Sequence, residues 1–211
     1  MTTQERALPT FSAIELRGIG DLHITQGEHA PLRIDADDEA LSEMVTEVAG
    51  DRLVIRFDPW KALRFWGASR RADFYITLPD LTAVSVSGSG TIDMPSYSAH
   101  RLELTINGTG NVRANIGVNE LKVAISGSGD ATLTGIAHKQ EVRISGAGTY
   151  SALGLQSREA NVSIGGAGKA HVQVSETLDA SIGGAGTVVY SGTPRVTQRI
   201  AGFGKVEQMQ G

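Results

Sequence analysis

The sequence predicts an all-β solenoid of coils about 19 residues long, with one short helix near its N-terminus. Three observations carry this. Glycine makes up 26 of 211 residues, roughly twice the ~7% average. Seven Gly-x-Gly pairs recur at near-constant spacing, and the residues flanking each pair alternate apolar and polar.

The pairs are Gly88/Gly90, Gly108/Gly110, Gly127/Gly129, Gly146/Gly148, Gly166/Gly168, Gly184/Gly186 and Gly202/Gly204, and their second members step by 20, 19, 19, 20, 18 and 18 residues. Four residues before each second glycine stands a β-branched aliphatic: Val86, Ile106, Ile125, Ile144, Ile164, Ile182 and Ile200. A register kept within one chain implies stacked copies. The approach to each pair alternates strictly, as in Leu102, Leu104, Ile106 or Leu121, Val123, Ile125, the period-two pattern of a half-buried strand. Alternation resumes after each pair, as in Val112, Ala114 and Tyr150, Ala152. Each unit therefore reads as strand, glycine corner, strand, return turn. Glycine suits the corner because a sharp bend favours positive φ and because stacked corners leave little room for a Cβ. One coil cannot bury its apolar face alone, so stacking encloses a ladder of Ile, Val and Leu.

The domain reading follows. Residues 1–9 form a flexible tail and 10–211 a single solenoid domain, irregular over 10–80 and regular over 81–211. Phe11 to Ile24 repeats the strand and glycine grammar and reads as an early or capping coil. The acidic start and apolar spacing over 38–48 read as a short helix covering one end. Residues 58–71 form a loop rich in aromatic and basic side chains.

Composition excludes several classes. A net charge of −4 and a pI near 5.7 lack the diffuse positive field of a nucleic-acid binder. With no cysteine there is no disulfide, thiolate metal site or Cys nucleophile. The five histidines, 23, 29, 100, 138 and 171, show no zinc spacing. Apolar runs fall far short of the ~20 residues of a membrane-spanning helix. Met1 to Pro9 has no hydrophobic signal core, so the expectation is either a cytosolic protein or the mature form of an exported one.

The run Leu78-Pro-Asp-Leu-Thr-Ala-Val-Ser-Val-Ser-Gly-Ser-Gly90, with Ser-Gly-Ser-Gly129-Asp and the later Gly-x-Gly coils, resembles the bacterial family described as putative auto-transporter adhesin, head GIN domain. The resemblance runs from about Phe11 to the C-terminus. It implies a right-handed β-helix, a cell-envelope or secreted setting and a homo-oligomer, with a trimer as the expected form. It brings no catalytic residues. Members commonly carry a signal peptide, and none is visible here.

Other chemistries fit less well. A phosphate loop is disfavoured because each glycine pair leads into a strand, not a helix N-terminus, and neither GxGxxG nor GxxxxGK[ST] occurs. A calcium spine would need Asp after each pair, yet only Asp21 and Asp130 hold that position, and Lys169 and Lys205 occupy two others. A polysaccharide-cleaving enzyme would need clustered carboxylates, whereas Glu103, Lys122, Arg143, Asn161, Asp179 and Arg199 read as a mixed outward row. Trp60, Arg64, Phe65, Trp66, Arg70 and Arg71 stand together, in the residue types of binding hot spots, although the aromatics would equally serve to cap the apolar end. The functional expectation is a non-enzymatic, cofactor-free adhesion or scaffold module, binding a glycan or protein surface as a homo-oligomer. The alternatives are a carbohydrate-active enzyme on the same frame and a polymerising structural solenoid.

Overall fold

A computed structural model describes residues 1–57 and 72–209 of the chain. It is a β-solenoid of about 7 turns. The regular coils are the strands β9 (Thr91–Gly108), β10 (Asn111–Ile125), β11 (Asp130–Ile144), β12 (Thr149–Ile164) and β13 (Lys169–Ile182), each running from one glycine corner to the next. They pair in parallel, in sequence order. The last coil is broken into β14 (Thr187–Ser191), β15 (Arg195–Ile200) and β16 (Lys205–Gln208). β14 and β15 pair with β13, and β16 pairs with β14.

The expected ladder is the core. Ile106, Ile125, Ile144, Ile164 and Ile182 stand in register on successive strands and are essentially buried, as is Val86. Ile200 completes the row but is 41% exposed, since no strand covers it among the described residues. Apolar residues after the corners, such as Val112, Ala131 and Tyr150, share the same cluster.

Close approach, more than backbone conformation, demands glycine at the corners. Positive φ occurs at Gly88 and Gly108, but not at the corner glycines from Gly127 onward. Instead, a Cβ on the first glycine of a pair would collide with the carbonyl oxygen of its counterpart one coil below: Gly127 on Gly108, Gly146 on Gly127, Gly166 on Gly146. Those same oxygens accept hydrogen bonds from Ser128, Ala147 and Ala167 N–H at 3.0, 2.9 and 3.0 Å. The second glycine packs on the isoleucine of the coil below. A Cβ at Gly129 would stand 2.8 Å from Ile106 Cγ2, and one at Gly148 would stand 2.7 Å from Ile125 Cγ2.

The far side of each coil from β9 to β13 is not a discrete turn, as the sequence reading expected, but a bend within continuous strand; in the last coil β14 and β15 are separate strands. The bend also absorbs the unequal coil lengths. β10 and β11 pair without a shift. One extra residue of β9 is accommodated between Met94 and Tyr97, and one of β12 between Ser151 and Gly154. Where β12 meets β13, three extra residues of β12 after Ala152 are followed by one extra residue of β13 after Val174. These offsets match the 20, 19, 19, 20 and 18 spacing, so corners and ladder stay aligned while bulges collect at the bend.

The N-terminal third closes the stack. Its strands are β1 (Thr2–Arg6), β2 (Ala13–Ile19), β3 (Asp21–Gln26), β4 (Leu32–Ala36), β5 (Met44–Ala49), β6 (Arg52–Phe57), β7 (Ala72–Leu78) and β8 (Ala83–Ser89). β2 lies between β6 and β8, and β3 between β7 and β9, all parallel. Residues 13–26 are thus an interior coil, and the outer one is β6 with β7, later in sequence. Antiparallel β4 and β5 then close the end, with β1 on β4.

Two expectations need correction here. The tail expected at 1–9 contains β1, whose Arg6 reaches Met44 O at 3.2 Å and Thr46 Oγ1 at 2.9 Å. The helix expected over 38–48 is only α1 (Asp38–Glu43), which buries Ala40 at the stack end. Met44 onward is strand because β6 offers it an antiparallel edge through a two-residue turn, and Gly50 takes the left-handed φ of +66° required there.

Alanine substitution separates the two kinds of glycine. Gly146→Ala is expected to cost about 3 kcal/mol or more, at or beyond the upper end of ordinary overpacking because the backbone itself is in the way. Gly165→Ala meets nothing within 4 Å and is expected to stay within about 0.5 kcal/mol of the parent. Urea unfolding of both variants measures the difference, and equal stabilities would refute the close-packed corner.

Candidate functional site

The residues singled out as contacts, Trp60, Arg64, Phe65, Trp66, Arg70 and Arg71, lie outside the described residues. β6 ends at Phe57, which packs over Gly18 so that a Cβ there would stand 2.8 Å from Phe57 Cδ2. β7 begins at the buried Ala72, paired with Ala36. Both flanking strands, β6 and β7, belong to the outermost parallel coil.

The two post-corner aspartates have a structural task. Asp21 Oδ1 accepts the Thr91 N–H at 2.7 Å, and Asp130 Oδ1 accepts the Thr149 N–H at 2.9 Å. Each ties its coil to the next. Among the described residues no group of three or more His, Asp and Glu could hold a metal ion.

The outward row also differs from its expected membership. Register places Glu103, Lys122, Glu141, Asn161, Asp179 and Thr197 side by side, with Arg143 and Arg199 one row over. A second row runs Arg101, Glu120, Lys139, Glu159, Thr177 and Arg195. In-register parallel strands set equivalent side chains only ~4.8 Å apart, so like neighbours would repel and opposite ones attract. Lys122 stands 3.6 Å from Glu141, Lys139 stands 3.9 Å from Glu159, and Arg199 stands 3.0 Å from Asp179. Charge alternation is thus a packing requirement, and Asn161 keeps Glu141 from Asp179. A groove of about 470 Å³ runs beside these rows, lined in part by Lys139, Glu159, Asp179 and Arg195.

The most structured polar feature lies at the bend where β12 and β13 lose register. A depression of about 410 Å³ opens there, lined by Ile136, His138, Gln156, Arg158, Gln173 and Thr193, among others. Behind it a hydrogen-bonded chain crosses the core. Tyr150 Oη donates to Gln140 Oε1 at 2.8 Å, Gln140 Nε2 donates to Ser157 Oγ at 2.7 Å, and Ser157 Oγ donates to Gln173 O at 2.6 Å. Tyr150 and Gln140 are fully buried, and Ser157 reaches both the core and the depression. Gln140 occupies a position held by Leu102, Leu121 and Leu178 in other coils. Aligning the coils marks this exception, and the 20-to-18 step marks the irregular bend; the local apolar pattern shows neither. Burial pushes the Tyr150 phenol far above its ordinary range. It pushes Tyr97 up to about 12, with the nearby Asp80 charge adding to the effect.

Against known proteins, the model of the family described as putative auto-transporter adhesin, head GIN domain, matches residues 10–194. The chain belongs to this family. Several solved structures share its fold. One is a putative adhesin from Bacteroides fragilis, 24% identical, with a TM-score of 0.89 over 99% of this chain and 96% of that one. Another is a putative lipid binding protein from Parabacteroides distasonis, 22% identical, with a TM-score of 0.75 over 99% and 96%. A putative adhesin from the same organism is 21% identical, with a TM-score of 0.73 and the same coverage. No curated protein matches the chain. At these identities the solved structures establish that this head GIN domain has the solenoid fold of its relatives.

Two measurements probe the buried chain. Tyr150→Phe leaves Gln140 Oε1 without its donor and is expected to cost about 1–3 kcal/mol. Adding Gln140→Leu is expected to recover part of that loss, and purely additive losses in urea unfolding would argue against coupling. Raised phenol values also have a pH signature. The stability tied to neutral Tyr97 and Tyr150 is complete below the unfolded value of ~10 and is lost as pH rises through the folded values. Tyr97→Phe is therefore expected to flatten the decline in urea midpoint between pH ~10 and the folded value of about 12.

Proposed function

We propose that this head GIN domain is a non-catalytic adhesion or scaffold module of the cell envelope, binding a glycan or protein surface and acting as a homo-oligomer. The observation that carries the reading is the family match over residues 10–194. The fold is compatible with it: a solenoid holds long outward rows at fixed spacing, suited to an extended surface. The Trp60 to Arg71 stretch supplies the aromatic and arginine types that anchor interfaces. Self-assembly is supported at the other end. β15 and β16 are paired on one side only among the described residues, which leaves backbone donors and acceptors for another strand. Phe203, 98% exposed, and Ile200 lie beside them.

Light scattering is expected to give a mass that is a multiple of 22.2 kDa, with a trimer as the expected multiple. A monomer at every concentration would remove the assembly. On a glycan array and against surface-protein extracts of stated composition, Trp60→Ala and Trp66→Ala are each expected to weaken binding at least about tenfold. Unchanged binding in both variants would remove the aromatic stretch from the contact.

A further inference from the structure

We propose that the depression at the β12–β13 bend is a saccharide subsite, taking a hydroxyl-rich ring of a glycan chain. This rests on the adhesion reading and adds to it a second contact surface, separate from the Trp60 to Arg71 stretch.

Its shape follows from the register. Three extra residues on β12 after Ala152 and one on β13 after Val174 break the ladder twice within a few residues, so the backbone there stops tracking its neighbour and a concavity opens. Its volume, about 410 Å³, falls within the ~300–1,000 Å³ of small-molecule sites.

Its chemistry selects the ligand. Ile136, Gln156 and Gln173 are register partners on three successive strands. The amides of Gln156 and Gln173, the ring of His138 and the hydroxyl of Thr193 line the depression. Among the described residues none of these four side chains is hydrogen-bonded to protein. An amide both donates and accepts, and a sugar hydroxyl does the same, so two stacked amides match adjacent hydroxyls. Ile136 is 51% exposed in the same row and offers an apolar surface to the C–H face of a ring. Arg158, which lines the depression, stands 3.9 Å from Glu176, so its charge is balanced and the lining favours a neutral polyol over an anion.

The buried chain supplies the third argument. Placing Gln140 in a row otherwise made of Leu102, Leu121, Ala160, Leu178 and Val196 costs the core apolar contact. The chain that runs through it from Tyr150 ends at Ser157 and the Gln173 carbonyl, both of residues that line the depression. The chain thus anchors the backbone that carries Gln173, and a binding site needs a framework held in place. A single ring bound here is weakly held, and repeated copies in an assembly convert that into useful avidity.

The test uses the full chain, ¹⁵N-labelled, titrated with methyl α-mannoside, methyl β-galactoside and N-acetylglucosamine at millimolar concentration. At least one sugar is expected to give saturable shifts of the Gln156 and Gln173 side-chain amides and of the Ile136, Ser175 and Thr193 backbone amides. Gln156→Ala/Gln173→Ala, the first exposed and the second half-buried, should keep the parent spectrum elsewhere and lose at least tenfold in affinity. Shifts confined to residues 58–71 would overturn the subsite while leaving the adhesion reading intact. So would the absence of any shift in a protein that still binds a glycan array, or shifts at these amides with phosphatidylcholine micelles and not with sugars. Failure of both the titration and the array would remove glycan binding altogether.

Discussion

At every corner from Gly88 onward, backbone rests directly on backbone. The carbonyl oxygen of one corner glycine accepts a hydrogen bond from the coil above, at the place where a side chain on the next glycine would have to sit. That constraint sets the distance between coils, and the distance sets everything stacked on it. The isoleucines touch because the corners do, and from Gly129 onward the second glycine is the lid over the isoleucine below. Charged rows outside alternate because the same short repeat brings equivalent positions together.

The two sides of a coil therefore have different freedom. The stacked glycine positions of the corners leave no room for a side chain or an inserted residue, so coil lengths of 18 to 20 residues must be reconciled elsewhere. They are reconciled at the bend, through bulges. The largest mismatch, between β12 and β13, is also where the core turns polar and the surface turns concave. A rigid seam on one side and an adjustable one on the other is a frame on which contacts can vary without disturbing the fold.

Much of this was legible in the sequence because the repeat exposes its own register: the glycine pairs, Ile106 to Ile182 and the alternating strands are visible by spacing alone. What escaped has physical reasons. Thr2 to Arg6 is polar and exposed, so an edge strand there leaves no apolar alternation. Ala40, Leu41, Met44, Val45 and Val48 fit a helix as well as a strand, and only the antiparallel partner β6 decides at Met44. The insertion of β2 between β6 and β8 is a long-range pairing, to which local periodicity is blind. At the candidate site, Gln140, Tyr150 and Ser157 are separated along the chain and meet only through the coil register. The Trp60 to Arg71 contact remains a reading of composition.

If corner register governs the fold, a coil should be removable as a unit. Excision of Asn111–Gly129, joining Gly110 to Asp130, preserves every corner and ladder position of the remaining coils and leaves the Tyr150 to Ser157 chain intact. Urea unfolding followed by circular dichroism is expected to show a β-rich protein with a cooperative transition, whereas excision of Asn111–Ser128, one residue shorter, should lose it. Equal behaviour of the two deletions would contradict the account.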